Sequence, residues 1–144
     1  MPPSRPRFAL DALERLARFW PVVCLVGLRQ VGKTTLTLQL SKVAEQVSLD
    51  DDQAQEEAEA APGVFLSKRH EPILIDEVQK SPKLFDAIKL TVDRKRRPGR
   101  FFLTGSARFS AKLGIRESLA GRIGLLQLYP LTLAEAHEKP FAKD

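Results

Sequence analysis

The chain has 144 residues, 43% of them hydrophobic and 28% charged, which is the size and make-up of one globular domain with its own core. Its net charge of +5 permits contact with anions, and its one cysteine, Cys24, excludes an internal disulfide. No uncharged apolar run approaches the roughly 20 residues that cross a bilayer. The two histidines, His70 and His137, stand far apart without cysteine partners, so a zinc site is unsupported. These features read as a cytoplasmic protein with no membrane segment.

Residues 1–9 are Pro- and Arg-rich and predict a loose N-terminal segment ahead of one domain over residues 10–138. Leu10, Leu13, Leu16, Ala17 and Trp20 recur at helical spacing until Pro21 stops the helix. Val22 to Val26 is a buried-strand run with Cys24 inside it, where a packed, inert thiol is expected. Leu36, Leu38, Leu40 and Val43 alternate with polar residues as in an amphipathic helix opening near Lys33. A short strand is predicted at Val47–Asp50. An exposed acidic helix follows from Asp50 to Ala61, capped near Asp51 or Asp52 and closed by Pro62-Gly63.

Ile73 to Glu77 is a third strand ending in two carboxylates, and Ser81-Pro82 opens a helix with Leu84, Phe85, Ile88 and Val92 on its apolar face. The basic stretch Arg94 to Arg100 leads to a fourth strand at Phe101–Thr104. A helix near Ala111 to Leu119 and a fifth strand at Ile123–Leu128 complete the series. Five apolar strands alternating with helices argue for an α/β layered fold with a mainly parallel five-stranded sheet.

The run Gly27-Leu28-Arg29-Gln30-Val31-Gly32-Lys33-Thr34 fills every fixed position of G-x-x-x-x-G-K-[ST], and Thr35 follows it. The motif stands between an apolar strand and a helix start, the context it requires. Glycines at 27 and 32 let the backbone curl so that successive N–H groups face phosphate oxygens, aided by the positive end of the helix. Arg29, Gln30 and Val31 hold the loop by position. Lys33 is expected on the β and γ phosphates, and the Thr34 hydroxyl on Mg²⁺.

Asp76 and Glu77 end a strand, which in parallel sheets is the ligand-binding end. Asp76 is then expected on the metal side, with Thr34, and Glu77 as acceptor of a proton from an attacking water. Thr104-Gly105-Ser106 offers a hydroxyl to the γ-phosphate or the water; the alternative is a plain turn. Arg122 reads either as a charge stabiliser, in this chain or across a homo-oligomer interface, or as a salt-bridged arginine. The basic stretch 94–100 reads as a solvated loop. A nucleic-acid contact is its alternative, without interleaved aromatic residues to support it.

Five motifs occur in order: Gly27–Thr35, Ile73–Lys80, Phe102–Ser106, Glu117–Arg122 and Tyr129–Glu135. Together they resemble the AAA-superfamily ATP-binding proteins of bacteria and archaea that carry a C-terminal domain of unknown function. The resemblance implies a three-layer P-loop NTPase core of the ASCE/AAA type, with the Thr104 strand between the phosphate-loop strand and the Asp76-Glu77 strand. It implies ATP with Mg²⁺ and hydrolysis to ADP and phosphate. Gln30, Gly32, Lys33, Thr34 and Thr35 carry over as phosphate-loop residues, Asp76 and Glu77 as the acidic pair, and Ser106 as the polar strand end. Leu28 replaces the family's usual proline. Such proteins are more than twice as long, so residues 139–144 read as a truncated tail, with the helical lid and C-terminal domain missing. Two alternatives follow: a nucleotide-binding remnant that does not hydrolyse ATP, and a small-molecule kinase. A GTPase is disfavoured, because guanine recognition needs an asparagine and the chain has none.

Overall fold

The computed structural model describes residues 4–27, 43–105 and 119–127. In chain order the elements are α1 (Ser4–Ala17), β1 (Val22–Val26), β2 (Glu45–Ser48), α2 (Asp52–Ala60), α3 (Pro62–Ser67), β3 (Ile73–Asp76), a 3₁₀ turn (Val78–Lys80), α4 (Lys83–Arg94), β4 (Phe101–Gly105) and β5 (Ile123–Gln127). The five strands form one sheet in the order β2-β3-β4-β1-β5. Every pairing is parallel, so β4 lies between β1 and β3 as the resemblance implied.

Strand side chains alternate between the two faces, and both faces are covered. Val22, Cys24, Val26, Ile73, Ile75, Phe101 and Leu103 enter one core with Ala54 and Ala58 of α2, Phe65 of α3 and Leu84 and Ile88 of α4. The odd-phase residues Val23, Leu25, Leu74 and Phe102 enter the other, against Leu13 and Ala17 of α1. Helices on both faces of a parallel sheet make the three-layer α/β fold. Cys24 is fully buried, in keeping with an inert thiol.

Several boundaries differ from the sequence reading. The first helix begins at Ser4, within the segment expected to be loose. Pro6 falls in its first turn, where a missing N–H leaves no hydrogen bond unmade. The second strand runs Glu45–Ser48 rather than 47–50, in register with Ile73–Asp76. Leu49 has left the ladder for the core, its N–H donating to the Asp76 carbonyl at 2.9 Å.

Asp51 caps α2 by accepting from the Ala54 N–H at 2.9 Å, and the helix buries only Ala54 and Ala58. The acidic helix ends at Ala60, just before Pro62-Gly63 as expected, and Pro62 also opens α3, at its first turn, with Phe65 and Leu66 buried. The helices expected at 33–43 and 111–119 lie outside the described residues, apart from their last positions.

Candidate functional site

The carboxyl ends of β1, β3 and β4 carry Gly27, Asp76 and Gly105, and the Gly27 N–H donates to the Gly105 carbonyl at 3.1 Å. The chain therefore leaves β1 toward Arg29–Thr35 at the edge where β3 delivers Asp76 and Glu77. Arg29, Gln30, Val31, Gly32, Lys33, Thr34, Thr35 and Ser106 lie outside the described residues. Gly27, Asp76, Glu77 and Arg122 lie within them.

Asp76 is held by two hydroxyls, one from each neighbouring strand. Ser48 Oγ donates to Asp76 Oδ2 at 3.2 Å and accepts from the Asp50 N–H at 3.1 Å. Thr104 Oγ1 donates to Asp76 Oδ1 and accepts from the Glu77 N–H at 3.1 Å. Each hydroxyl accepts from a backbone N–H and donates a hydrogen bond to one carboxylate oxygen. Thr104 is fully buried. Of the two hydroxyls in Thr104-Gly105-Ser106, that of Thr104 is spent on the acidic pair.

Glu77 behaves differently from its neighbour. Its backbone is left-handed at φ 56°, which for a residue with a Cβ is strained and clusters at functional sites. The turn takes its side chain off the β3 alternation, and the residue is only 7% exposed. Gln79 Nε2 donates to Glu77 Oε1 at 2.7 Å.

The 3₁₀ turn that follows is fastened to α2 and the segment before it. Lys80 Nζ pairs with Asp50 at 2.6 Å, Gln55 Nε2 donates to the Lys80 carbonyl at 2.9 Å, and Ser81 Oγ donates to Glu59 at 2.6 Å. The acidic helix is thus a brace for the site as well as a solvated surface. Its i, i+4 pairs give that no sequence signal, because the partners are 22–30 residues away.

Asp50, Asp76 and Glu77 each offer a carboxylate oxygen, and these lie within 4.8 Å of one another. An all-oxygen acidic set of this kind fits a hard divalent cation such as Mg²⁺. Asp50 was not anticipated as a member. It lies just beyond β2, and only the β2–β3 register brings it to Asp76.

Arg122 does not join this cluster. It precedes β5, at the amino edge of the sheet, where its carbonyl accepts from the Val22 N–H. Its guanidinium forks onto Asp93 at 2.7 and 3.0 Å and donates to the Ala120 carbonyl at 2.6 Å. A strand of this length separates the two edges by roughly 16 Å. The charge-stabiliser role within one chain therefore gives way to an ion pair. Arg122 holds the Asp93 carboxyl below its ordinary range, and Asp93 raises Arg122 in return.

The basic stretch divides in two. Arg94, Lys95, Arg96 and Arg97 are exposed, whereas Arg100 is buried and grips both Glu71 oxygens at 2.7 and 2.8 Å. Arg100 also donates to the carbonyls of Thr91 and Lys95, at 3.0 and 2.6 Å. A cleft of about 810 Å³ opens between α3 and α4 beside it, lined in part by Leu66, Asp86, Leu90 and Arg97. No phenylalanine, tyrosine or tryptophan is among its lining residues. No helix among the described residues is long and apolar enough to cross a membrane.

Comparison with known proteins gives the family and the same fold. Residues 20–137 match the family described as AAA domain. The chain is 40% identical over 129 residues to the uncharacterized proteins Rv2008c of Mycobacterium tuberculosis and Mb2031c of Mycobacterium bovis. That match covers 87% of this chain but 29% of each relative, so the chain spans under a third of their length. Among solved structures it is similar to the P-loop NTPase domain of a sigma-54 transport activator from E. coli. That match has a TM-score of 0.56 and 14% identity, and it covers 92% of this chain and all of that one. A DNA replication initiation factor matches with a TM-score of 0.55 and 19% identity, over 96% of this chain and 50% of the other. At these identities the two structures speak for the fold.

Proposed function

The chain belongs to the AAA domain family, and on that premise we propose that it binds Mg·ATP and hydrolyses it to ADP and phosphate in the cytoplasm. One observation carries the reading. Asp76 and a buried, left-handed Glu77 stand together at the carboxyl end of β3, with β4 alone between it and the strand that runs into the phosphate-loop sequence. Gly27 to Thr35 would wrap the phosphates with backbone N–H groups, and Lys33 would pair with the β and γ oxygens. Thr34 and Asp76 would hold Mg²⁺, which when bound supplies charge neutralisation at the phosphate oxygens. The two hydroxyls on Asp76 orient its carboxylate for that task and leave Glu77 to accept the proton of water. Ser106, which follows β4 in sequence, would offer its hydroxyl to the γ-phosphate or the water.

A remnant that binds without turnover and a kinase that transfers to a hydroxyl share the loop but not the need for a water-activating carboxylate. Mg·ATP binding by calorimetry and phosphate release, measured for wild type, Lys33→Ala and Glu77→Gln, separate the three. Lys33→Ala abolishes binding. Glu77→Gln keeps binding and loses turnover by about 10²–10⁴-fold, the size of a general-base contribution. Wild-type binding without phosphate release refutes hydrolysis, and transfer to an added acceptor in place of release identifies a kinase.

A further inference from the structure

The amide of Gln79 is half engaged. Its Nε2 donates to Glu77 Oε1 at 2.7 Å, and among the described residues it is the one side chain that donates to this carboxylate. The arrangement fixes which arm of the amide is which, because Oε1 turned toward the carboxylate would repel it. The other arm, Gln79 Oε1, is buried and has no hydrogen-bond partner among the described residues. A buried acceptor without a donor is costly, and native structures keep one where a water fills it or the reaction uses it. The turn that carries it is held by α2 through the Lys80 carbonyl and the Ser81 hydroxyl, which fixes the backbone from which the amide extends.

From this pairing we propose that Gln79 is the positioning residue for the attacking water, a role that rests on the hydrolysis reading above. Its Nε2 fixes the carboxylate of Glu77, which has left the strand and so lacks ladder neighbours to hold it. Its Oε1 accepts one hydrogen of the water whose other hydrogen faces Glu77. In the step, the water oxygen bonds the γ-phosphorus and the bond to the β-bridging oxygen breaks. One proton passes to Glu77, the other stays on the new phosphate, and ADP leaves with the electron pair. A neutral amide suits position 79. A carboxylate there would repel Glu77, and an ammonium would hold its electron pair and weaken it as a base.

The test measures kcat, KM and calorimetric Kd for Mg·ATP in wild type, Gln79→Met and Gln79→Glu, with circular dichroism to confirm folding. Methionine keeps the length and volume of glutamine and removes both polar arms. Glutamate keeps an acceptor and removes the donor. Both variants are expected to lose about 10–100-fold in kcat, the scale of a misplaced reacting group, with KM and Kd within about twofold of wild type. Turnover equal to wild type in Gln79→Met overturns the proposal. So does a raised Kd at unchanged kcat, which would give Gln79 a part in nucleotide binding. Should Gln79→Met fail to fold, Gln79→Glu decides by the same two numbers. A wild type that releases no phosphate removes the hydrolysis reading and this inference with it, whereas active wild type with an equally active variant removes this inference alone.

Discussion

Thr104→Val retains the shape of a fully buried side chain and deletes one hydroxyl that makes two hydrogen bonds. The loss can be assembled from those bonds. The Glu77 N–H, 3.1 Å from Oγ1, is left unpaired in a residue only 7% exposed. An orphaned buried donor costs about 1–3 kcal/mol, and a bond to a charged carboxylate is worth about 1.5–3 kcal/mol. Asp76 is only half-buried and keeps Ser48, so part of the second contribution is recovered from water. The expected destabilisation is about 2–4 kcal/mol. Thr104→Ser keeps both bonds and deletes a methyl group, at about 1 kcal/mol. Urea unfolding followed by the fluorescence of Trp20, the only tryptophan, reports both. With a slope of about 1–3 kcal/mol per molar, the valine variant shifts the midpoint by roughly 1–2 M. A valine variant within about 0.5 kcal/mol of the serine variant would refute the hydroxyl's bridging role, since that lies inside ordinary substitution scatter.

Three further outcomes follow from other parts of the fold. Gly124→Ala places a Cβ against Trp20 Cδ1 and 2.9 Å from Cγ, so β5 or the indole must shift. A loss of about 1–3 kcal/mol, with a changed Trp20 emission maximum, is expected in the same unfolding assay. Arg100→Met strands two carbonyls at the amino edge, leaves Glu71 only its longer pairing with Arg97 at 3.8 Å, and costs about 2–4 kcal/mol, below the full buried-pair range because Glu71 also keeps 24% exposure. A smaller urea-midpoint shift than that of Gly124→Ala would contradict this ordering. The Glu45 carboxyl is lowered from 4.5, first by the His70 N–H at 2.8 Å and then by Arg69, and Asp93 is lowered from 3.8 by Arg122. Both bind protons more weakly when folded. Their contribution is therefore complete above those ordinary values and is lost as pH falls through the lower folded ones. Urea midpoints over roughly pH 3 to 6 should fall on the acid side, and Glu45→Gln should flatten that fall.

What could be read from the chain before folding was whatever rests on local pattern. Val22–Val26, Ile73–Asp76 and Phe101–Gly105 are continuous apolar runs because both sheet faces are covered, and such runs announce themselves. Asp76 and Glu77 stood out for the same reason, as charges at the end of such a run. The partners of those charges did not. Ser48, Asp50 and Gln79 look like ordinary loop residues, and only the β2–β3 register or the tight 3₁₀ turn makes them part of the site. Pro62 marks the end of α2, as its sequence suggests, and what the sequence does not announce is that it also opens α3, which buries Phe65 and Leu66. From its motif Arg122 reads either as a charge stabiliser or as a salt-bridged arginine. Its strand direction sends it to the opposite edge, where Asp93 takes it.

The two adjacent carboxylates of the motif reach separate uses through backbone geometry alone. In a continued strand, Asp76 and Glu77 would project to opposite faces, and one of them would enter a hydrophobic core. The left-handed step at Glu77 ends the strand first, and Thr104 accepts the N–H that the step leaves behind. The same hydroxyl then donates to Asp76, so the strain at one acid and the orientation of the other are met by a single side chain on β4. This is why β4 must lie between β1 and β3. Its end supplies the hydroxyl to the acidic pair on one side, and through Gly105 it supplies a carbonyl to Gly27 on the other. The sheet order therefore does chemical work: it sets the phosphate-loop entrance and the acids on either side of one strand, with that strand's terminus bonded to both.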